Sequence, residues 1–395
     1  MQLQETLTGN WNYPTSIRFG SGRIGELADA CATLGMRNPL LVSDPGLAAL
    51  PMIANAIADN HSAGMKTGLF SEIKPNPNIA NIEAGVKHYN NGQHDGVIAF
   101  GGGSALDAGK AIAFMAGQSR NLRDFEDEGD NWTHADRTGI APVVAVPTTA
   151  GTGSEVGRAA VIVDETRQQK MIIFHPDMLP GIVIADPQLT VGLPPHITAA
   201  TGMDALSHNL EAWCSPGYHP MADGIALEGM RLISQWLTVA YHEPENITAR
   251  SHMLIASSMG ATAFQKGLGA MHALAHPLGA LYDVHHGLLN AVLMPYVISY
   301  NRVAIENKMQ YLAHILELDV KPKSSGVDTV LAFIIKLRQQ LDIPHDLKFI
   351  GIETSRIPAI AEMATNDPSA SGNPLLLSKE DYAVLLTNAT KGVLN

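Results

Sequence analysis

Asp204 and His208 stand four residues apart in an Ala-rich stretch, Ala199–Trp213. On a helix that spacing puts both side chains on one face, able to share an ion. Alone, the pair is weak evidence, since Asp and His at this spacing are more often a surface hydrogen-bonded pair. A second group follows in Gly269–Gly287, where His272, His276, Asp283, His285 and His286 sit among apolar residues. His272 and His276 again share a helical face. A single buried histidine is an ordinary hydrogen-bonded core residue. Four within 15 residues, beside an Asp-x-x-x-His helix, point instead to a divalent transition metal held by imidazole nitrogen and carboxylate oxygen. No cysteine falls in the group, so a thiolate site is excluded.

Three glycine motifs compete for a phosphate. Gly20-Ser-Gly22-Arg-Ile-Gly25 fits the dinucleotide pattern, with Asp44 about 20 residues on. The strand before it, Thr15–Phe19, alternates with polar residues and contains Arg18, so it reads as an edge strand and the motif as a tight turn entering a helix. Gly101-Gly102-Gly103-Ser104, continuing to Asp107, Gly109 and Lys110, follows the apolar run Val97–Phe100 and opens a helix. Glycines let a diphosphate approach the backbone there, and the helix N-terminus supplies free N–H groups. The run matches neither the nucleotide-triphosphatase pattern nor G-x-G-x-x-G, because Leu106 stands at the last glycine position. Pro147–Val156, rich in Thr, Gly and Ser, follows the strand-like Val143–Val146, and ligands of open α/β sheets bind at that edge.

Elements must bring these groups together. The first half alternates strand-like runs (Leu40–Ser43, Gly96–Phe100, Pro142–Pro147, Ile182–Ala185) with helical stretches (Ile24–Leu34, Ile79–Asn90, Ser104–Ala116), the pattern of an α/β domain with a parallel sheet. After Leu193-Pro-Pro195 the helical spacing dominates: Thr198–Trp213, Met221–Ala240, Ala249–Phe264, Leu288–Val303, Val327–Leu341 and Ile357–Ala364. The expected domains are 1–193, an α/β dinucleotide-binding domain, and 194–395, a helical metal-binding domain. The chain has 395 residues, enough for two cores, with 46% hydrophobic and 16% charged residues, which excludes a disordered chain. Its net charge of −12 and lack of a basic run argue against nucleic acid. Two lone cysteines, Cys31 and Cys214, make no disulfide framework. The N-terminus, Met1–Asn12, is polar and lacks the pattern of a signal peptide, and no stretch approaches the ~20 apolar residues of a membrane span, so a cytoplasmic protein is expected. Eight of the 16 histidines fall between Asp204 and His286, an excess that needs an explanation.

Together, Gly101–Lys110, Pro147–Val156, Thr201–His208 and His272–Gly287 resemble the iron-containing (group III) NAD-dependent alcohol dehydrogenase family, and the similarity runs from about Pro14 to Asn373. The resemblance implies an N-terminal dinucleotide-binding domain with a parallel sheet and an all-helical C-terminal metal domain, the fold shared with dehydroquinate synthase, with the active site in the cleft. By motif position it implies the metal ligands Asp204, His208, His272 and His286. It places His276 near the cofactor, the diphosphate on Gly102, Gly103 and Ser104 with Asp107 beside it, and further cofactor contacts at Thr148, Thr149 and Lys170. Asp44 matches the position near the adenine ribose. A carboxylate there accepts hydrogen bonds from a free 2′-OH and repels a 2′-phosphate, so NAD is expected over NADP. The family implies Fe(II), although the Irving–Williams order favours Zn(II) at such a site. It also implies a homodimer. Two departures stand out. His285 occupies a place where many members have proline, and Asp367–Leu375, which resembles the family's tail segment, lacks the cysteine and arginine common there.

The expected activity is hydride transfer between NAD(H) and a small alcohol, diol or aldehyde whose oxygen is polarised by a divalent metal. His276, with His285, is the candidate proton relay, since imidazole titrates near working pH. Phe264 is the residue expected at the substrate pocket. The alternative is a non-redox lyase of the dehydroquinate synthase type. It would need several basic residues for an acidic phosphorylated substrate, and the Asp204–His286 region offers only Arg231, Arg250 and Lys266. A metal-binding protein without catalysis is disfavoured by the coincidence of phosphate loop and metal set. A serine hydrolase is disfavoured because no G-x-S-x-G elbow exists.

Overall fold

The computed structural model describes residues 13, 15–167, 169–319 and 324–394. The polar segment 1–12, on which the signal-peptide reading rests, lies outside them.

Two compact units result. One comprises Pro14–Leu193 with Glu243–Leu254, the other Pro194–His242 with Ile255–Asn395. The first is α/β. Its strands are β1 (Ser16–Phe19), β2 (Leu40–Val42), β3 (Gly68–Phe70), β4 (Val97–Gly101), β5 (Val143–Pro147), β6 (Ala159–Asp164), β7 (Gln169–Phe174) and β8 (Ile182–Ala185). Six form one sheet in the order β1-β8-β5-β4-β2-β3, with every neighbouring pair parallel. Its helices are α1 (Leu27–Thr33), α2 (Pro45–Ala48), α3 (Pro51–Ser62), α4 (Ile79–Asn91) and α5 (Gly103–Met115). The central strands β4, β5 and β8 are buried at every residue, as a sheet covered on both faces requires. β1 lies at the edge, and the turn after it enters a short 3-10 helix through Gly22 in the left-handed region. Asp186 stabilises that entry by accepting from the Ile24 N–H at 3.0 Å.

The strands β3, β6 and β7 and the helices α2 and α3 of this unit were not expected. β3 is only three residues long, and β6 and β7 pair as an antiparallel hairpin outside the main sheet. On β6, buried and part-exposed residues alternate, because one face packs and the other does not.

The second unit is helical: α6 (Pro195–Cys214), α7 (Pro220–His242), α9 (Ala270–Tyr282), α10 (His286–Tyr300), α11 (Arg302–Ile315), α12 (Gly326–Gln340), α13 (Ile357–Thr365) and α14 (Lys379–Lys391). The helix α8 (Ile247–Ala263) has most of its length here. α6 and α10 are buried almost throughout, which explains their weak amphipathic pattern. The stretch expected as one helix over Leu288–Val303 breaks at Asn301, where α11 begins. α11 and α14 lack any counterpart in the sequence reading. No single helix among the described residues is long and apolar enough to cross a membrane.

Candidate functional site

Three helices of the second unit build the site. α6 carries Asp204 and His208 one turn apart. α9 carries His272 and His276 in the same relation. Asp283, in the left-handed region with its N–H on the Gly279 carbonyl, closes α9, and α10 then starts at His286. α10 comes close to α6 because residue 287 is glycine. A Cβ there would stand 2.3 Å from the Ala200 carbonyl oxygen and 2.9 Å from Asp204 Cβ.

This packing brings Asp204, His208, His272 and His286 together, with one ligand atom of each lying within 4.8 Å of all the others. Asp204, His208 and His272 are buried and His286 is part-exposed. The imidazoles lie against one another: His208 and His272 stack at 4.8 Å, and His272 and His286 stand 5.2 Å apart. Phe264 closes one side, edge-on to His208 at 5.2 Å.

Two unforeseen neighbours complete the cluster. Glu211, on the face of α6 that bears Asp204 and His208, accepts from the Met271 N–H at 2.7 Å and from His272 Nδ1 at 2.6 Å. Asn290, one turn after His286, turns its Nδ2 toward Asp204 Oδ1 at 2.9 Å, His272 Nε2 at 3.2 Å and His286 Nε2 at 3.1 Å. Three acceptors face one amide nitrogen that carries two protons. Such a convergence of lone pairs, three imidazoles and one carboxylate in all, fits a divalent cation. Glu211 was legible as the third polar residue on the 204, 208, 211 face. Asn290 was legible only as the i+4 neighbour of His286. Burial opposes a charge on His272, yet the Glu211 carboxylate, by charge and hydrogen bond, carries its pKa above the ordinary histidine value.

His276 stacks on His286 at 5.3 Å and is tied through Nδ1 to Asp367 at 2.8 Å. Burial would raise the Asp367 carboxyl, but His276 beside it and the Ser369 N–H hold it below the usual carboxylate value. The tail segment Asp367–Leu375 therefore docks on α9, and Asn373 adds a contact by accepting from the Ala270 N–H at 3.2 Å. His285 is exposed at the residue preceding α10 and contributes no atom to the four-residue group.

Of the expected cofactor residues, Asp44, Gly102, Gly103, Thr148 and Thr149 lie in the first unit just beyond the carboxyl ends of the adjacent strands β2, β4 and β5. Gly101 ends β4 at φ 151°, Gly102 precedes α5, and Gly103 opens it. A side chain would be tight at Gly102 and at Gly103 would force Thr152 to shift. A Cβ on the first would stand 3.3 Å from Thr149 Cγ2, and on the second 2.6 Å from Thr152 Cγ2. The Pro147–Val156 loop thus lies on the glycine loop, joined by the Thr148 N–H on the Gly101 carbonyl at 3.0 Å. The close helix–strand approach that a dinucleotide fold gives to its third glycine falls on Gly109, where a Cβ would meet Ala99 Cβ at 2.6 Å. Asp44 follows β2, caps α2 by accepting from the Leu47 N–H at 3.0 Å, and faces Gly101.

Two of the expected residues, Asp107 and Ser104, are already engaged by the protein. Asp107 accepts from Ser154 Oγ and from the Val161 N–H, and pairs with Lys110 at 3.2 Å. Lys110 is fully buried and donates to the Ser154 and Ala159 carbonyls. Burial pushes its pKa down against the pull of Asp107. Asp107 and Lys110 thereby clamp the 154–161 segment onto α5. Ser104 Oγ donates to the Pro75 carbonyl. Lys170 is part-buried on β7, opposite Val163.

The sequence model described as iron-containing alcohol dehydrogenase matches residues 14–187, and that of the Fe-containing alcohol dehydrogenase family, C-terminal, matches 198–390. The chain is 34% identical over 385 residues to alcohol dehydrogenase 4 of Saccharomyces cerevisiae (97% of this chain, 99% of that protein). It is 36% identical over 385 residues to 4-hydroxybutyrate dehydrogenase of Cupriavidus necator (95% and 98%). The crystal structure of a 1,3-propanediol oxidoreductase superposes with a TM-score of 0.91 at 34% identity, covering 96% of this chain and 99% of that one.

Proposed function

Because the chain belongs to the iron-containing alcohol dehydrogenase family, a metal-dependent, NAD-linked group of oxidoreductases, we propose that it interconverts a small primary alcohol or diol and the aldehyde, with Asp204, His208, His272 and His286 as the metal ligands. The family match favours dehydrogenase chemistry over the lyase alternative. The observation that carries the ligand assignment is the convergence of those four side chains within 4.8 Å.

A divalent cation on these residues supplies Lewis-acid polarisation of the substrate oxygen, and bound NAD supplies the hydride acceptor. The chain's own residues do the rest. Asp204, His208, His272 and His286 would hold a divalent cation with one carboxylate and three imidazoles, and such a site would retain positive charge to polarise a substrate oxygen. Asp367 holds His276 through Nδ1, leaving Nε2 to take or give the alcohol proton. His285, exposed and adjacent to His286, is the candidate to pass that proton to solvent. Gly102, Gly103 and the first-turn N–H groups of α5, including that of Ser104, receive the diphosphate. Thr148, Thr149 and Lys170 flank it, Asp107 shapes the loop, and Asp44 accepts from the adenine ribose.

The relatives act, by name, on 1,3-propanediol, 4-hydroxybutyrate and methanol, and the apolar surroundings of Phe264 suit an uncharged short-chain substrate. The reading extends to the domain ranges 1–193 and 194–395, a homodimer, and a cytoplasmic location. A spectrophotometric screen for NADH formation with short alcohols and diols, and for NADH consumption with the aldehydes, on protein of measured metal content, tests it. Metal-dependent turnover is expected. Absence of turnover with every member at full metal occupancy overturns the substrate class. Sedimentation equilibrium tests the dimer.

A further inference from the structure

Glu211 lies outside the proposed ligand set, yet it is a buried carboxylate only 4% exposed. An ionised carboxylate in that position needs donors for its oxygens, and it has two of different kinds. Oε1 takes the Met271 N–H at 2.7 Å, one of the first-turn N–H groups of α9 that lack an intrahelical acceptor. Oε2 takes His272 Nδ1 at 2.6 Å. Capping of α9 alone would account for the first contact. It gives no reason for the second.

The second contact decides the state of the ring. A carboxylate accepts only, so Nδ1 carries the proton, and Nε2 is the nitrogen left to hold a cation. That Nε2 is the atom that shares Asn290 Nδ2 with Asp204 Oδ1 and His286 Nε2. One residue of α6 therefore fixes both the start of α9 and the direction of its lone pair.

We propose that Glu211 is a positioning residue for the metal: it holds His272 as the Nδ1–H tautomer with Nε2 turned to the ion, and so sets metal affinity without touching the ion. This rests on the ligand set proposed above. Loss of such an outer partner characteristically costs 10–100-fold in metal affinity.

The test uses the full-length protein stripped of metal and titrated with Zn(II) against a chromophoric chelator. Unaltered protein, Glu211→Gln and His208→Ala are compared, with thermal unfolding of each metal-free form as a check on folding. Gln keeps the volume but is neutral and offers either an N–H or a carbonyl to Nδ1, so the tautomer is no longer dictated. A 10–100-fold weaker Zn(II) affinity is expected for Glu211→Gln, and near-complete loss for His208→Ala. Unchanged affinity in Glu211→Gln, with loss in His208→Ala, overturns the role of Glu211 and leaves the ligand set standing. Unchanged affinity in His208→Ala overturns the ligand set itself. Imidazole 15N shifts of unaltered Zn(II)-loaded protein supply a measurement that needs no variant. His272 bound through Nε2 with Nδ1 protonated is expected, and the reverse overturns the proposal.

Discussion

His272 is the residue on which most of the site converges, touching Glu211, His208, His276, His286 and Asn290. His272→Ala removes one proposed ligand and leaves Glu211 facing a void. Metal content measured by elemental analysis and turnover are expected to fall together, by at least 100-fold in turnover. Full activity in a metal-free His272→Ala protein would falsify the mechanism. Asp44 poses a separate question, because one oxygen serves α2 as a cap while the carboxylate charge is proposed to serve the cofactor. Asp44→Ser keeps an acceptor for the Leu47 N–H and removes the charge. The ratio of kcat/KM for NAD to that for NADP is expected to drop by about 10–100-fold, from the ~1.5–3 kcal/mol of a charged hydrogen bond. A tenfold or greater preference for NAD in the unaltered enzyme is expected first. Equal efficiency with both cofactors would remove Asp44 from the ribose.

Elements meet at the site through glycine. α10 lies on α6 at Gly287, directly beside His286 and over Asp204. A methyl group at Gly287 collides with the Ala200 backbone oxygen, an atom held within a buried helix. Relief requires α10 to withdraw, which carries His286 from Asp204. Gly287→Ala is expected to cost about 1–3 kcal/mol by overpacking and to weaken Zn(II) binding at least tenfold. Chelator competition and thermal unfolding report the two effects. Wild-type affinity in a folded Gly287→Ala protein would show that the helices tolerate a wider spacing. The glycine loop obeys the same logic, with Gly102 and Gly103 fitting against Thr149 and Thr152.

At the scale of the whole molecule, metal and pH act on stability. Ligand bound to the native state alone stabilises by about 2.7 kcal/mol at a hundredfold excess over Kd. Removing the metal with a chelator is therefore expected to lower the thermal midpoint, and restoring Zn(II) to recover it. An unchanged midpoint would mean that no tight site exists. Asp164, in the α/β unit, supplies a pH dependence of its own. It is fully buried, and its hydrogen bonds from Arg123, Thr166 and Arg167 hold its carboxyl far below the usual carboxylate value. A depressed folded pKa adds stability above the unfolded value of about 3.9, which is lost as pH falls toward the folded value. Since both arginines are part-exposed, Asp164→Asn is expected to cost only about 1–2 kcal/mol at pH 7. That difference from the unaltered protein should shrink below pH 4. A constant difference from pH 7 to pH 2.5 in urea unfolding would contradict this account.

The amino-acid sequence by itself determined the parallel-sheet α/β part, the helical part after Leu193, the glycine loops and the ligand candidates. Each rests on local signals: an uninterrupted apolar run for a strand buried on both faces, glycine where side chains do not fit, and i, i+4 spacing for a shared helix face. β3 escaped because Gly68-Leu69-Phe70 starts on a glycine and is only partly buried at the sheet edge, whereas the equally short β2 is apolar and buried throughout. The β6–β7 hairpin escaped because charged Asp164 and Lys170 end its strands and blur the alternation. The break at Asn301 escaped because α10 and α11 join without a loop. Only the tertiary structure decided which partners face the metal candidates. Glu211 meets His272 across 61 residues, Asn290 meets Asp204 across 86, and Asp367 meets His276 across 91. Hydrogen bonds at such separations leave no periodic trace in the chain, because they depend on the angle at which two buried helices pack.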